Sequence, residues 1–373
     1  MKIEINLAAE KFFDDIIRGI QMKRRNFMTK GAAAALGMGL TGCSAIRPKK
    51  IKLWKEIAPY THRPVGTMPV GEIGKTGIKV SKFGFGSHIP YERGDTRSYD
   101  KVREHMIHEA YDMGIRVFDV YDIEQDFQQY EPFGKQIAPF KNDVVISISF
   151  KNYDGRTPEQ ELERDLRLFR RDYIDLVRVQ FPADNPIWEK LFRWKEKGYV
   201  RAVGAHVHNW EHFKTVFEKV PLDYMLFPYN FYHNKVWLES EKVDFTTLPS
   251  MLRGKGIGVL TMKAFAGDYL VKPFIDIARS FNYEPEVNFN QAALRYVINS
   301  DVKPDTTLTG MYNLYHIYEN VAAYYHPEMS DEERSLLNDI KQVAQYSAQA
   351  WLPEHYKWLE DWAESPGENQ NFS

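Results

Sequence analysis

The chain has 373 residues, room for one large domain or two ordinary ones at about 100–200 residues each. Its 49 Lys and Arg against 51 Asp and Glu give a net charge of −2. A phosphate-binding surface normally leaves a basic excess, so no nucleic acid partner is expected. Hydrophobic residues at 43% exclude a disordered chain, and a single cysteine, Cys43, excludes intramolecular disulfides, thiolate zinc sites and protein-ligated iron–sulfur clusters.

In chain order, the first informative stretch is Lys23-Arg24-Arg25-Asn26-Phe27-Met28-Thr29-Lys30, followed by an uncharged segment rich in Ala and Gly, 31–42. That segment is too short to cross a bilayer, which takes about 20 apolar residues. A basic start, a short apolar core and a small-residue end mark an export signal. Arg24 and Arg25, with Phe27 two residues on, resemble the twin-arginine signal that exports folded proteins. Leu40-Thr41-Gly42-Cys43 resembles a bacterial lipobox, whose cysteine is acylated. The expectation is a lipoprotein anchored through Cys43 on the periplasmic or cell-surface side of a bacterial membrane. The signal region is 1–42; residues 1–21 do not fit it, and Met22 reads as an alternative start. A buried Ala/Gly helix with a chance cysteine is the plainer alternative, but it would have no apolar stripe to bury. Residues 43–68, with Lys49, Lys50, Lys52 and Lys55, read as a tether.

A hairpin follows, from two short β runs around Gly74-Lys75-Thr76-Gly77. The glycine spacing and the missing strand-then-helix frame argue against a phosphate loop. Eight β-rich runs come next: 83–86, 117–120, 144–149, 176–180, 202–205, 224–227, 258–261 and 307–309. Helical patterns lie at 99–113, 158–169, 186–197, 210–219, 245–254, 274–281 and 288–299. Thr157 and Pro158 give the second of these a capping hydroxyl and a first-turn proline. The β runs are continuously apolar, as strands covered on both faces should be. Eight βα units in about 250 residues make a (β/α)8 barrel, 69–340, with an N-terminal β-hairpin. A C-terminal helical extension, 341–373, spaces Trp351, Trp358 and Trp362 helically, as a helix packed on the barrel or a lid over its mouth.

Chemistry in such a barrel sits at the C-terminal strand ends and the loops beyond. The residues there are Ser87 and His88, Asp119 to Glu124, Lys151, Gln180, His206 and His208, Tyr229, Met262 and Lys263, and Gly310 onward. Asp119 and Lys151 end adjacent strands. Desolvation favours their pairing, and the pair is either structural or catalytic. His206 and His208 share a strand face and admit a metal reading. Their companions His88, Asp119 and His233 match no supporting spacing, so no metal is expected.

At this point the chain resembles the aldo-keto reductases. Gly74 to Ser81 resembles their hairpin, Phe83-Gly84-Phe85-Gly86 their first barrel strand, and Gly114-Ile115-Arg116-Val117-Phe118-Asp119 the motif ending in their catalytic aspartate. Asp172-Tyr173-Ile174-Asp175-Leu176 matches the start of strand four. Thr309-Gly310-Met311 with Glu319-Asn320 matches the cofactor segment. The likeness runs from about 70 to 337. It implies hydride transfer between a nicotinamide cofactor and a small carbonyl or alcohol substrate, using an Asp, Tyr, Lys and His tetrad. Asp119 and Lys151 fall in their slots. The Tyr slot holds Glu124, flanked by Tyr121 and Tyr130, and the His slot holds Gln180. A Gln N–H can orient a carbonyl oxygen, and a protonated Glu124 can deliver a proton from an apolar pocket. On the cofactor side the resemblance points to His206, Lys263, Gly310, Met311, His316, Glu319 and Asn320, with backbone N–H groups for pyrophosphate. His88 and Tyr229 are the expected substrate neighbours. The residues do not choose between NAD and NADP. With two of four tetrad members replaced, a catalytically inactive barrel serving as a binding lipoprotein is the alternative.

Overall fold

Strands that are apolar on both faces need cover on both, and the chain provides it by closing its sheet on itself. The computed structural model describes residues 62–87, 101–120, 130–150, 155–207, 210–231, 247–265 and 287–338. Two strands, β1 (Val70–Glu72) and β2 (Lys79–Ser81), form the antiparallel hairpin. Then come β3 (Phe83–Gly86), α1 (Lys101–Asp112), β4 (Val117–Val120), α2 (Tyr130–Gln136), β5 (Val145–Ser149), α3 (Pro158–Phe169), β6 (Ile174–Val179) and α4 (Ile187–Glu196). They are followed by β7 (Val200–His206), α5 (Trp210–Lys219), β8 (Tyr224–Pro228), α6 (Thr247–Gly254), β9 (Gly258–Met262), α7 (Phe289–Ile298), β10 (Thr306–Gly310) and α8 (Leu314–Tyr325). Strands β3 to β10 run parallel in sequence order, and β10 pairs with β3 to close the barrel. This is the expected (β/α)8 architecture with its N-terminal hairpin.

Alternation along each strand makes two cores. Val117, Val145, Leu176, Ala202, Tyr224, Leu260 and Leu308 fill the barrel. Their neighbours Phe118, Ile146, Val177, Val203, Met225 and Val259 face the helices. Ile73, Ile78 and Val80 of the hairpin join the inner core, so the hairpin plugs the N-terminal end and leaves chemistry to the other. Inside, Tyr224 lies across Gly204, where a Cβ would come within 2.4 Å of its ring. A glycine there is what makes room for the largest inner side chain.

Helix α3 starts as its sequence indicates. Thr157 Oγ1 accepts from the Gln160 N–H, and Gln160 Oε1 accepts from the Thr157 N–H, a reciprocal capping box. Two described helices, α8 and α2, have no counterpart among the helical patterns, and the reason is plainest in α2. It is short and carries Pro132 and Gly134, both poor interior helix residues. The glycine serves packing: a Cβ there would lie 2.1 Å from the Leu168 carbonyl oxygen of α3. The signal region, the tether as far as residue 61, the 274–281 helix and the C-terminal extension lie outside the described residues, while the end of the expected tether is docked, with Met68 5% exposed in the outer core. Among the described residues no helix is long and apolar enough to cross a membrane.

Asp305 locks the plug. Its Oδ2 accepts from the Gly74 N–H at 3.1 Å and the Val259 N–H at 2.9 Å, joining hairpin to β9. Asp305→Ala leaves two amides without this acceptor, each worth about 1–3 kcal/mol when stranded. The melting temperature should fall by roughly 5 °C, with a smaller loss for Asp305→Asn, both read by scanning calorimetry.

Candidate active site

The site begins with two charges inside the barrel. Asp119 lies on the inner face of β4 and Arg178 on the inner face of β6, their side chains only 12% and 4% exposed. Arg178 Nη1 donates to Asp119 Oδ1 at 2.5 Å and Nη2 to Oδ2 at 3.0 Å. Ser147 of β5, between them, donates its hydroxyl to Asp119 Oδ1 at 2.7 Å and accepts from Arg178 Nη1 at 2.8 Å. Two parallel charge-assisted bonds of this kind offset the cost of desolvating both ions. The sequence pairs Asp119 with Lys151. The partner that the described residues provide is Arg178, and Lys151 lies outside them. Tyr224 lies near this pair: burial pushes its phenol far up, with the Arg178 charge pulling the other way. It stays protonated at any ordinary pH.

Nothing in the sequence analysis singled out Arg178. A signal existed, since it is the one charge on the inner face of β6, two residues from Leu176. Such a charge demands a buried partner.

The other strand ends gather on the same face of the barrel. Gln180 follows β6 and is half-buried, and His206 ends β7, 8% exposed. Lys263 follows β9 with a left-handed backbone, φ +58°, and its carbonyl accepts from Asn230 Nδ2 at 3.1 Å. Although part of the residue stays open to solvent, desolvation around its ammonium pulls Lys263 down to about 8. Tyr229 follows β8 but turns outward. Its ring stacks on Tyr296 of α7, centroids 6.0 Å apart, and burial raises its phenol. Tyr130, one of the tyrosines flanking the donor slot, is spent in the helix layer, its ring 4.5 Å from that of Phe169. Cys43, His88, Tyr121, Glu124, Lys151, His208 and His233 lie outside the described residues. No group of three His, Cys, Asp or Glu among the described residues could hold a metal ion.

Beyond β10 the chain passes through Gly310 and buried Met311 into α8. Asn313 caps that helix by accepting from the His316 N–H at 2.9 Å, and His316 Nδ1 accepts from the Tyr312 N–H at 3.3 Å. Glu319, 5% exposed, accepts from Asn288 Nδ2 at 2.6 Å and Asn290 Nδ2 at 2.8 Å. Asn288 caps α7 through its own oxygen, which turns its amide toward Glu319. Asn320 is buried beside it, 3% exposed. Strand-end polar groups of several elements thus converge with a helix N-terminus suited to an anion.

A family model described as Aldo/keto reductase family matches residues 84–342. The aldo-keto reductase YhdN of Bacillus subtilis strain 168 is 28% identical over 229 residues, covering 54% of this chain and 68% of that protein. L-galactose dehydrogenase of Arabidopsis thaliana is 22% identical over 303 residues, covering 73% and 92%. Among solved structures, the holo form of aldo-keto reductase AKR11C1 from Bacillus halodurans superposes with a TM-score of 0.57 at 18% identity, covering 78% of this chain and 99% of that one. At that identity it speaks for the fold alone.

The buried pair sets a clear expectation. Arg178→Met strands the Asp119 carboxylate and should cost about 3–5 kcal/mol of unfolding free energy. The double variant Asp119→Leu/Arg178→Met should be more stable than Arg178→Met alone, because no charge is left uncompensated. Urea unfolding of the wild type and the three variants in the cycle measures both.

Proposed function

The chain belongs to the Aldo/keto reductase family, and on that premise we propose that it is an NAD(P)-dependent oxidoreductase acting on a small carbonyl or alcohol. The observation carrying this reading is Asp119, at the end of the family's second-strand motif, buried and held at the open end of the barrel that also carries Gly310, Met311 and the start of α8. When bound, the nicotinamide supplies or accepts the hydride. The residues do the rest. As a carbonyl is reduced its oxygen gains negative charge, so a proton donor and N–H donors must stand within reach. Gln180 orients that oxygen through its side-chain N–H. Glu124 carries the proton, and Lys151 balances the charge that develops. Arg178 keeps the Asp119 carboxylate in one place.

The residues around β10 suit a dinucleotide. The N-terminal turn of α8 favours a pyrophosphate beside Gly310 and Met311, with His316, Glu319 and Asn320 on the helix that follows. His206 and Lys263 complete the cofactor side. A mature protein anchored through Cys43 outside the cytoplasm would carry a dinucleotide taken up before export, since a twin-arginine route moves folded proteins. The rival reading, a barrel that binds without turnover, draws on the same pair, because Asp119 is engaged by Arg178.

Protein purified without added cofactor should release NAD(H) or NADP(H) on denaturation, and the stripped form should rebind it. With a panel of small aldehydes, ketones and polyols, Lys151→Met should lower turnover by about a hundredfold or more while leaving the melting temperature nearly unchanged. Absence of both release and rebinding sinks the oxidoreductase reading. Binding without turnover of any panel compound points to the rival.

The anchor has its own test. Membrane fractions of cells making the wild type should hold the protein, and those making Cys43→Ala should lose it. Equal membrane retention rejects the lipid anchor.

A further inference from the structure

Arg103 is a buried cation that the hydride-transfer scheme does not use. It lies in the first turn of α1 and is 3% exposed. Its Nη1 donates to the Met311 carbonyl at 2.9 Å and its Nη2 to the Ser87 carbonyl at 3.3 Å, while the guanidinium sits 4.9 Å from the Phe85 ring centroid. Met311 follows β10 and Ser87 follows β3, the two strands whose pairing closes the barrel. Ser87 in turn donates its N–H to the Asp119 carbonyl at 2.9 Å. One side chain therefore connects the segment leading into α8 with the end of the strand that bears Asp119.

The peptide between Met311 and Tyr312 is gripped from both sides. Its carbonyl accepts from Arg103, and its N–H donates to His316 Nδ1. A peptide unit is planar, so anchoring both polar groups removes its freedom to rotate and sets the path of the chain into α8. A planar fork can bridge two carbonyls in fixed directions, which the single ammonium of a lysine cannot do. Burying such a cation is costly, and two backbone carbonyls together with an aromatic face recover part of that cost.

We propose that Arg103 is a positioning residue for dinucleotide binding, holding the peptide after β10 in register with the Asp119 strand end. The proposal rests on the oxidoreductase reading above. It differs from a purely structural role in predicting a local loosening and a loss of cofactor affinity that are not matched by a loss in the chemical step.

Hydrogen exchange and cofactor titration on the full chain test it, with Arg103→Lys and Arg103→Met compared to the wild type. Amides of residues 310–313 should exchange at least about tenfold faster in both variants, with those of β6 and β7 unchanged. The dissociation constant for NADH or NADPH should rise about tenfold, while turnover at saturating cofactor stays within about threefold. If Arg103→Met fails to fold, Arg103→Lys decides alone, because it keeps charge and bulk and loses only the fork. Unchanged exchange at 310–313, unchanged affinity, or a lysine variant identical to wild type overturns the proposal. A wild type that binds neither dinucleotide overturns the functional reading and this proposal together; variants that match a binding wild type overturn this one alone.

Discussion

A charge inside a closed barrel is largely cut off from water, and Asp119 and Arg178 each replace most of the other's lost solvation. Their two hydrogen bonds, with Ser147 between them, tie β4, β5 and β6 across the inner face. Much of the rest follows from that demand. A barrel interior that contains an ion pair must exclude water below it, and the hairpin plug with Tyr224 packed over Gly204 does so. With the lower end filled, the upper end is where side chains meet solvent and ligands. Asp119 is thus held at the boundary, low enough to be desolvated and high enough to keep a small exposed area.

The strand ends around it divide into two groups. On one side the β4 to β6 network fixes the acidic end of the site. On the other, the seam between β3 and β10 leads into α8 and is braced by Arg103, Asn313 and His316. Glu319 lies further along α8, clamped by two asparagines from the start of α7. Each brace uses a helix cap or a backbone carbonyl, groups that already need a partner. The site is built largely from the fold's own unsatisfied ends. Ser87, bonded to both Arg103 and the Asp119 carbonyl, links the two groups.

Several elements show what was legible and why. The eight strands were readable because burial on both faces leaves short, β-branched runs, such as Val144 to Ile148, that recur between longer helical patterns. The hairpin was readable from its Gly-Lys-Thr-Gly turn. Helix α2 was not, because Pro132 and Gly134 argue locally against a helix, and Gly134 is explained only by the nearness of the Leu168 carbonyl. Tyr229 and Tyr130 sat at promising sequence positions, yet their rings pack on Tyr296 and Phe169, since a residue just past a strand or opening a helix can face either layer.

By itself the sequence determined the barrel, its hairpin, the order of its strands and the family to which it belongs, because these follow from local periodicity, turn chemistry and short motifs. It also placed Asp119 and the Gly310–Met311 segment at strand ends. The tertiary structure decided the partners. Arg178 meets Asp119 from 59 residues away, and Arg103 meets Met311 from 208 residues away. Register and barrel closure bring such groups together, and neither is written in any one stretch of chain. A one-residue slip of β6 would turn Arg178 toward the helices and leave the carboxylate alone, so the pairing is a property of the closed sheet rather than of the residues that take part in it.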